Sequence, residues 1–161
     1  MMRKKIYKTL SILAVGLSLT ASAVAQETNE AALKSILSTK NFVFRAQSAW
    51  PLQGKVIQLT PGFDMRVMID SINTYLPYYG RAYTAGYNQA GGISFTSSKF
   101  DYKLKEKQKG GWDLTIKPSD ANDVTQLTYS ISTNGFATLQ VISNNRQAIS
   151  FYGVIEKAKK N

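Results

Sequence analysis

Apolar residues recur along this chain with two different periods. From Glu27 to Lys40, Ala32, Leu33, Ile36 and Leu37 fall at the i, i+3, i+4 spacing of one helical face, which predicts a helix. Thr28 or Asn29 can cap its start, and Asn41 can end it. From Phe42 onward the period becomes two, with Val, Ile, Thr, Phe and Tyr enriched and Gly or Asn between the runs, which predicts strands.

The C-terminal half can be aligned across its turns. Phe100, Tyr102 and Leu104 share one phase, and Trp112, Leu114 and Ile116 answer them beyond Lys109-Gly110-Gly111. A three-residue loop there, with Gly111 in the left-handed conformation, sets Leu104 opposite Ile116. A loop of Thr133-Asn134-Gly135 sets Tyr129 opposite Leu139, whereas a two-residue Asn134-Gly135 turn would send the two apolar sets to opposite faces. Leu139 and Val141 then meet Phe151 and Ile149 across Asn144-Asn145-Arg146. Upstream, strands are predicted at Phe42 to Ala49, Lys55 to Leu59, Met65 to Tyr75 and Ile93 to Ser97. Slips of phase near Asp70-Ser71 and Ser97-Ser98 call for a bulge or a strand break. The expected fold is all-β with one N-terminal helix: a curved antiparallel sheet, half-open barrel or sandwich-like, ending in a four-strand meander from Phe100 to Ile155. Its one apolar face must be buried, with the helix and the stretch after Tyr75 as candidate covers.

The first residues tell a different story. Arg3, Lys4, Lys5 and Lys8 precede an apolar run from Leu10 to Leu19, and Ala23-Val24-Ala25 follows, as in a cleavable secretory signal over residues 1–25. The run is too short to span a bilayer, and no cysteine exists to carry a lipid, so the expected product is periplasmic or secreted and not a lipoprotein. Residues 26–161 fit one domain. Four of the twenty basic residues lie in the leader while all ten acids remain, so net charge drops from +10 to +6.

Zero His and zero Cys exclude Ser-His-Asp and Cys-His nucleophilic sites and the common zinc sites, so no catalysis, metal or cofactor is expected. Asp101 and Asp113 could in principle serve a carboxylate-based glycosidase, but lysines surround them and they read as surface ion pairs. The run Pro118 to Asp123 lacks calcium-loop spacing. Lys103, Lys105, Lys107 and Lys109 form a period-two stripe that could attract an anionic surface such as lipid headgroups or acidic glycan but reads first as protection of an exposed strand, and export argues against nucleic acid as a partner. The distinctive stretch is Tyr75 to Gly92, with five tyrosines and Arg81 among four glycines. Tyrosine combines a flat apolar body with a polar tip, suited to stacking on a sugar or enclosing an apolar ligand, or to forming a lid over the sheet.

Leu76 to Tyr83 (LPYYGRAY), Gly91 to Phe95 (GGISF), Lys109 to Trp112 (KGGW), Asn134 to Leu139 (NGFATL) and Asn145 to Gly153 (NRQAISFYG) form an ordered set. This set resembles an uncharacterised Gram-negative envelope family, domain of unknown function 4251, from about Asn41 to Ile155. The resemblance implies an exported β-rich domain and brings no activity, cofactor or catalytic residue. The functional expectation is a non-enzymatic envelope protein that binds an apolar or glycan-like ligand in the concavity of its sheet. Tyr75, Tyr78, Tyr79, Arg81, Tyr83, Tyr87 and Trp112 are the candidate lining. A protein-interaction module of the periplasm is the main alternative.

Overall fold

The computed structural model describes residues 29–83 and 91–159. The leader and Tyr87 lie outside the described residues. A helix, α1, spans residues 29–38. It buries Leu33 and Leu37, half-buries Ile36 and leaves Ala32 exposed. Its end forms one residue before Asn41: Lys40 takes the left-handed conformation (φ 51°), and Asn41 N–H reaches back to Ile36 O at 3.0 Å. The Lys40 ammonium sits 5.6 Å and 5.2 Å from the ring centres of Phe100 and Tyr102.

Ten strands follow: β1 (Phe42–Pro51), β2 (Ile57–Gln58), β3 (Asp64–Val67), β4 (Ile72–Pro77), β5 (Gly92–Ser97), β6 (Phe100–Glu106), β7 (Trp112–Pro118), β8 (Val124–Ile131), β9 (Phe136–Ser143) and β10 (Ile149–Lys157). All pairings are antiparallel, in the order β5-β4-β3-β1-β10-β9-β8-β7-β6, with β2 added to β1. The sheet curls into a nearly closed barrel with one unsealed seam. The meander after Phe100 has five strands, not four, because β6 and β7 both join the run that ends in β10.

Tyr129 faces Leu139, and Leu139 and Val141 face Phe151 and Ile149, as the alternation requires. The β6–β7 hairpin departs by one step. Its loop is Gln108-Lys109-Gly110, closed by Lys107 N–H to Gly111 O at 2.9 Å, so Leu104 faces Leu114 rather than Ile116. Both glycines have positive φ, but a side-chain carbon on Gly111 would strike Ile131 O. Gly110 closes the turn through its N–H to Lys107 O at 3.1 Å, and only glycine fits at position 111. The Met65 to Tyr75 run is two strands, β3 and β4, with the slip at Asp70-Ser71 resolved as a tight turn in which Met68 N–H donates to Ser71 O.

The inner face is filled. Tyr129, Phe42, Phe44, Phe151, Leu37 and Met65 are all fully buried. Phe42 and Phe44 meet Tyr129 edge-on, at 6.2 and 5.6 Å, and the Tyr129 hydroxyl donates to Met65 Sδ. These side chains occupy the concavity in which a ligand was expected.

One irregularity sets the outer surface. In β1, Phe42, Phe44 and Ala46 are buried, the register shifts between Ala46 and Ser48, and Ala49 is the next inward residue. Opposite the shift, Gly153 pairs with Ala46, and a side-chain carbon on it would run into the carbonyl of Arg45. Gly153→Ala is therefore expected to lower stability by about 2 kcal/mol, the usual size of an overpacking penalty. Chemical denaturation followed by circular dichroism checks this, and an unchanged midpoint would show that the β1 bulge yields freely.

Candidate functional site

Each functional side chain owes its place to strand phase. On β9 and β10 the inward residues are Ala137, Leu139, Val141 and Ile149, Phe151, Gly153, which turns Phe136, Thr138 and Gln140 outward with Ser150 and Tyr152. On β1 the bulge flips the phase. Trp50 shares parity with Phe42 and Phe44, yet it points out and is 52% exposed. These three strands lie side by side, so the outward residues frame one groove of about 410 Å³, with Trp50, Pro51, Leu52 and Tyr152 beside Thr138, Gln140 and Ser150. Trp50 is steadied by its indole N–H, which donates to Ser48 Oγ at 2.9 Å, and Tyr152 by a parallel stack on Phe136 at 5.7 Å. Two braced aromatic rings over a hydroxyl and amide floor can hold a ring-shaped ligand with one apolar face and several hydroxyls.

Of the residues expected from the sequence, none of the described ones, Tyr75, Tyr78, Tyr79, Arg81, Tyr83 and Trp112, lines this groove. Tyr75 stands on the outer face of β4, stacked on Phe63 at 5.6 Å, above a shallow depression of about 240 Å³ shared with Asp64, Asn73, Ser94 and Thr96. Tyr78 is a structural tether: its hydroxyl lies 2.9 Å from Arg81 O and 3.0 Å from Gln147 O, and Arg146 sits 5.1 Å from its ring centre. Burial raises its pKa, so the hydroxyl stays a donor. Arg81 and Tyr83 use their backbones on the β9–β10 loop, through Gln147 N–H to Arg81 O and Tyr83 N–H to Asn145 O, while the rings of Tyr79 and Tyr83 are exposed. Trp112, 2% exposed, lies at the start of β7 and borders a separate depression with Glu30, Lys34 and Glu106. Among the described residues, Trp112 and Tyr75 line different depressions.

A second groove, of about 300 Å³, runs between β5 and the β7–β8 loop, lined by Gly92 to Thr96, Asp120 to Val124, and Arg146. Arg146 is buried, pairs through Nε with Asp123 at 3.0 Å and donates from Nη1 to Gly92 O. Asp120 accepts from Ser97 Oγ, from the N–H and hydroxyl of Ser98, and from Lys99 N–H, which holds its carboxyl down to about 2. These two carboxylates are committed to fixing loops. Asp120 stays ionised at any pH near neutral and cannot act as a general acid.

Trp50, Tyr152 and Phe136 escaped the sequence reading. The available signal was an aromatic residue in the polar phase of its strand: Tyr152 and Phe136 interrupt otherwise polar outward positions, and Trp50 adjoins Pro51 where the alternation of β1 breaks.

A nearly closed antiparallel barrel with a filled interior and one helix places the protein in the all-β class. The chain belongs to the family described as Domain of unknown function (DUF4251), whose model matches residues 24–155. A solved structure with the same fold is a DUF4251 family protein from Bacteroides eggerthii DSM 20697. It is 15% identical with a TM-score of 0.64, over 81% of this chain and 88% of that one. No curated protein matches.

The Asp120 staple should show in acid. An unfolded aspartate titrates near 3.8 and this one at about 2, so its stabilising contribution is complete above pH 4 and lost as pH falls through 2. The melting-temperature gap between wild type and Asp120→Ala is expected to be constant from pH 7 to about 4 and to shrink towards pH 2. A gap unchanged over that whole range would show that the carboxylate's charge is irrelevant to the corner.

Proposed function

We propose that this protein is a non-enzymatic, exported envelope protein that holds a glycan-like ligand in the outer groove of β9, β10 and β1. The observation that carries this reading is the pairing of two exposed, braced aromatic rings, Trp50 and Tyr152, with Thr138, Gln140 and Ser150 in one depression. Sugar rings offer C–H faces to aromatic rings and hydroxyls to amides and hydroxyls. A purely apolar ligand would strand the polar floor. The basic, apolar and small-residue succession over residues 1–25 supports export. Binding rather than hydrolysis is favoured because Asp120 and Asp123, which share the second groove, are already committed to hydrogen bonds and an ion pair, and of the two carboxylates in the depression beside Trp112, Glu106 is paired with Lys34.

A second reading has its own support. Leu52 lines the groove and is exposed, and Phe136, stacked on Tyr152, is exposed beside it, as at a protein-docking surface.

One experiment separates the two. The protein is screened on an array of bacterial-envelope and host glycans, and hits are titrated by tryptophan fluorescence. Trp50 is exposed and Trp112 buried, so a glycan in the groove should protect the quenchable indole from acrylamide. Trp50→Ala should weaken binding about tenfold, the worth of one stacked ring, with little change in melting temperature. Absence of any glycan hit, or full affinity in Trp50→Ala, would overturn the glycan reading.

A further inference from the structure

The two edges of the sheet are treated unequally. β6, at one edge, carries Lys103 and Lys105 and is flanked by α1, with Tyr102 hydroxyl donating to Leu37 O at 2.7 Å and Lys34 paired with Glu106. That is ordinary protection of an edge. β5, at the other edge, reads Gly-Ile-Ser-Phe-Thr-Ser, with no charge. It pairs with β4 alone among the described strands.

The phase of its hydrogen bonds follows from the turn upstream. Met68 N–H donates to Ser71 O, so in the β3–β4 ladder Asn73 and Tyr75 spend their backbone groups on β3. Ile72, Thr74 and Leu76 therefore face β5, where they engage Ser97, Phe95 and Ile93. Gly92, Ser94 and Thr96 are left facing the other way. Gly92 O is taken by Arg146. Among the described residues, no strand takes the N–H and C=O groups of Ser94 and Thr96, which lie on exposed residues along the second groove.

We infer that this edge is a strand-acceptor site, which takes an extended segment of another polypeptide by β-augmentation. The inference stands independently of the glycan reading and uses a different surface. Ser94 and Thr96 present donor and acceptor pairs about 6.8 Å apart, two residues of extended chain, a repeat that a β-strand backbone matches. The opposite wall, Asp120 to Val124, is fixed by Asp120 on Ser97 to Lys99 and by Asp123 on Arg146, so the groove is formed in advance. Every second side chain of the incoming segment would rest near half-buried Phe95 and buried Ile93 and Val124, and the alternate ones would point to water. The partner is thus a segment of alternating apolar and polar residues.

Random-sequence peptides displayed on phage are selected on the full protein, and an enriched peptide is then synthesised. Amide hydrogen exchange by NMR should show the Ser94 and Thr96 amides gaining protection on peptide addition, by about tenfold or more. Ser94→Pro removes an N–H that makes no bond to β4, so it should abolish peptide binding while leaving the melting temperature near that of wild type. Failure to enrich any peptide, peptide binding that survives Ser94→Pro, or protection arising elsewhere would each overturn the assignment. Should Ser94→Pro fail to fold, the protection pattern in the wild-type protein decides alone.

Discussion

The pairing of β1 with β10 is the constraint from which the rest of the structure follows. The first strand of the domain joins the last over Phe42 to Pro51 and Ile149 to Lys157, and β1 also carries β3 on its other side. Through it, the small sheet of β3, β4 and β5 and the long meander from β6 to β10 become one surface. The bulge within this pairing lets the strand bend, and Gly153 gives the bulge room by lacking a side chain where Arg45 O approaches. The same bulge reverses the phase of β1, so the strand that contributes Phe42 and Phe44 to the core also sets Trp50 on the outside.

Closing the barrel this way leaves little free volume within. Aromatic rings meet around Tyr129, with edge-on contacts from Phe42 and Phe44 that are each worth about 0.5–1.5 kcal/mol beyond burial. Its hydroxyl is buried, but Met65 Sδ accepts from it, so no donor is wasted. At one end of the barrel, Arg146 does for the loops what Tyr129 does for the core. It reaches Asp123, Gly92 O and the ring of Tyr78, and so ties the β7–β8 loop, β5 and the tyrosine stretch to the β9–β10 loop. A buried guanidinium is costly unless paired and hydrogen-bonded, and here it is both.

Both proposed sites therefore lie on the outer surface. A filled interior cannot be a ligand cup, and the acids of the second groove are engaged in holding loops. The outer surface carries aromatic faces over polar groups on one side, and an uncharged strand edge beside a groove on another. The two surfaces suit different chemistry, one the C–H faces and hydroxyls of a ring, the other the regular polar repeat of a backbone.

By itself the sequence determined the elements and most of their register. Alternation from Phe100 to Ile155 dictated which residues go inward, because in a strand a one-residue slip turns every side chain to the wrong face, and Tyr129 duly meets Leu139. Where two glycines stood together, the local code was ambiguous: both take positive φ, and Gly110 closes the turn through its N–H to Lys107 O while Gly111 lies where any side-chain carbon would meet Ile131 O. The candidate site was less legible. Tyr75, Tyr78, Arg81 and Trp112 have suitable chemistry, but which of them are exposed, and beside what, depends on strands far apart in sequence. Trp50 and Tyr152 become neighbours across one ladder only because a bulge shifts β1 by one residue, and a bulge answers to the packing of Gly153 against Arg45, which no local pattern encodes.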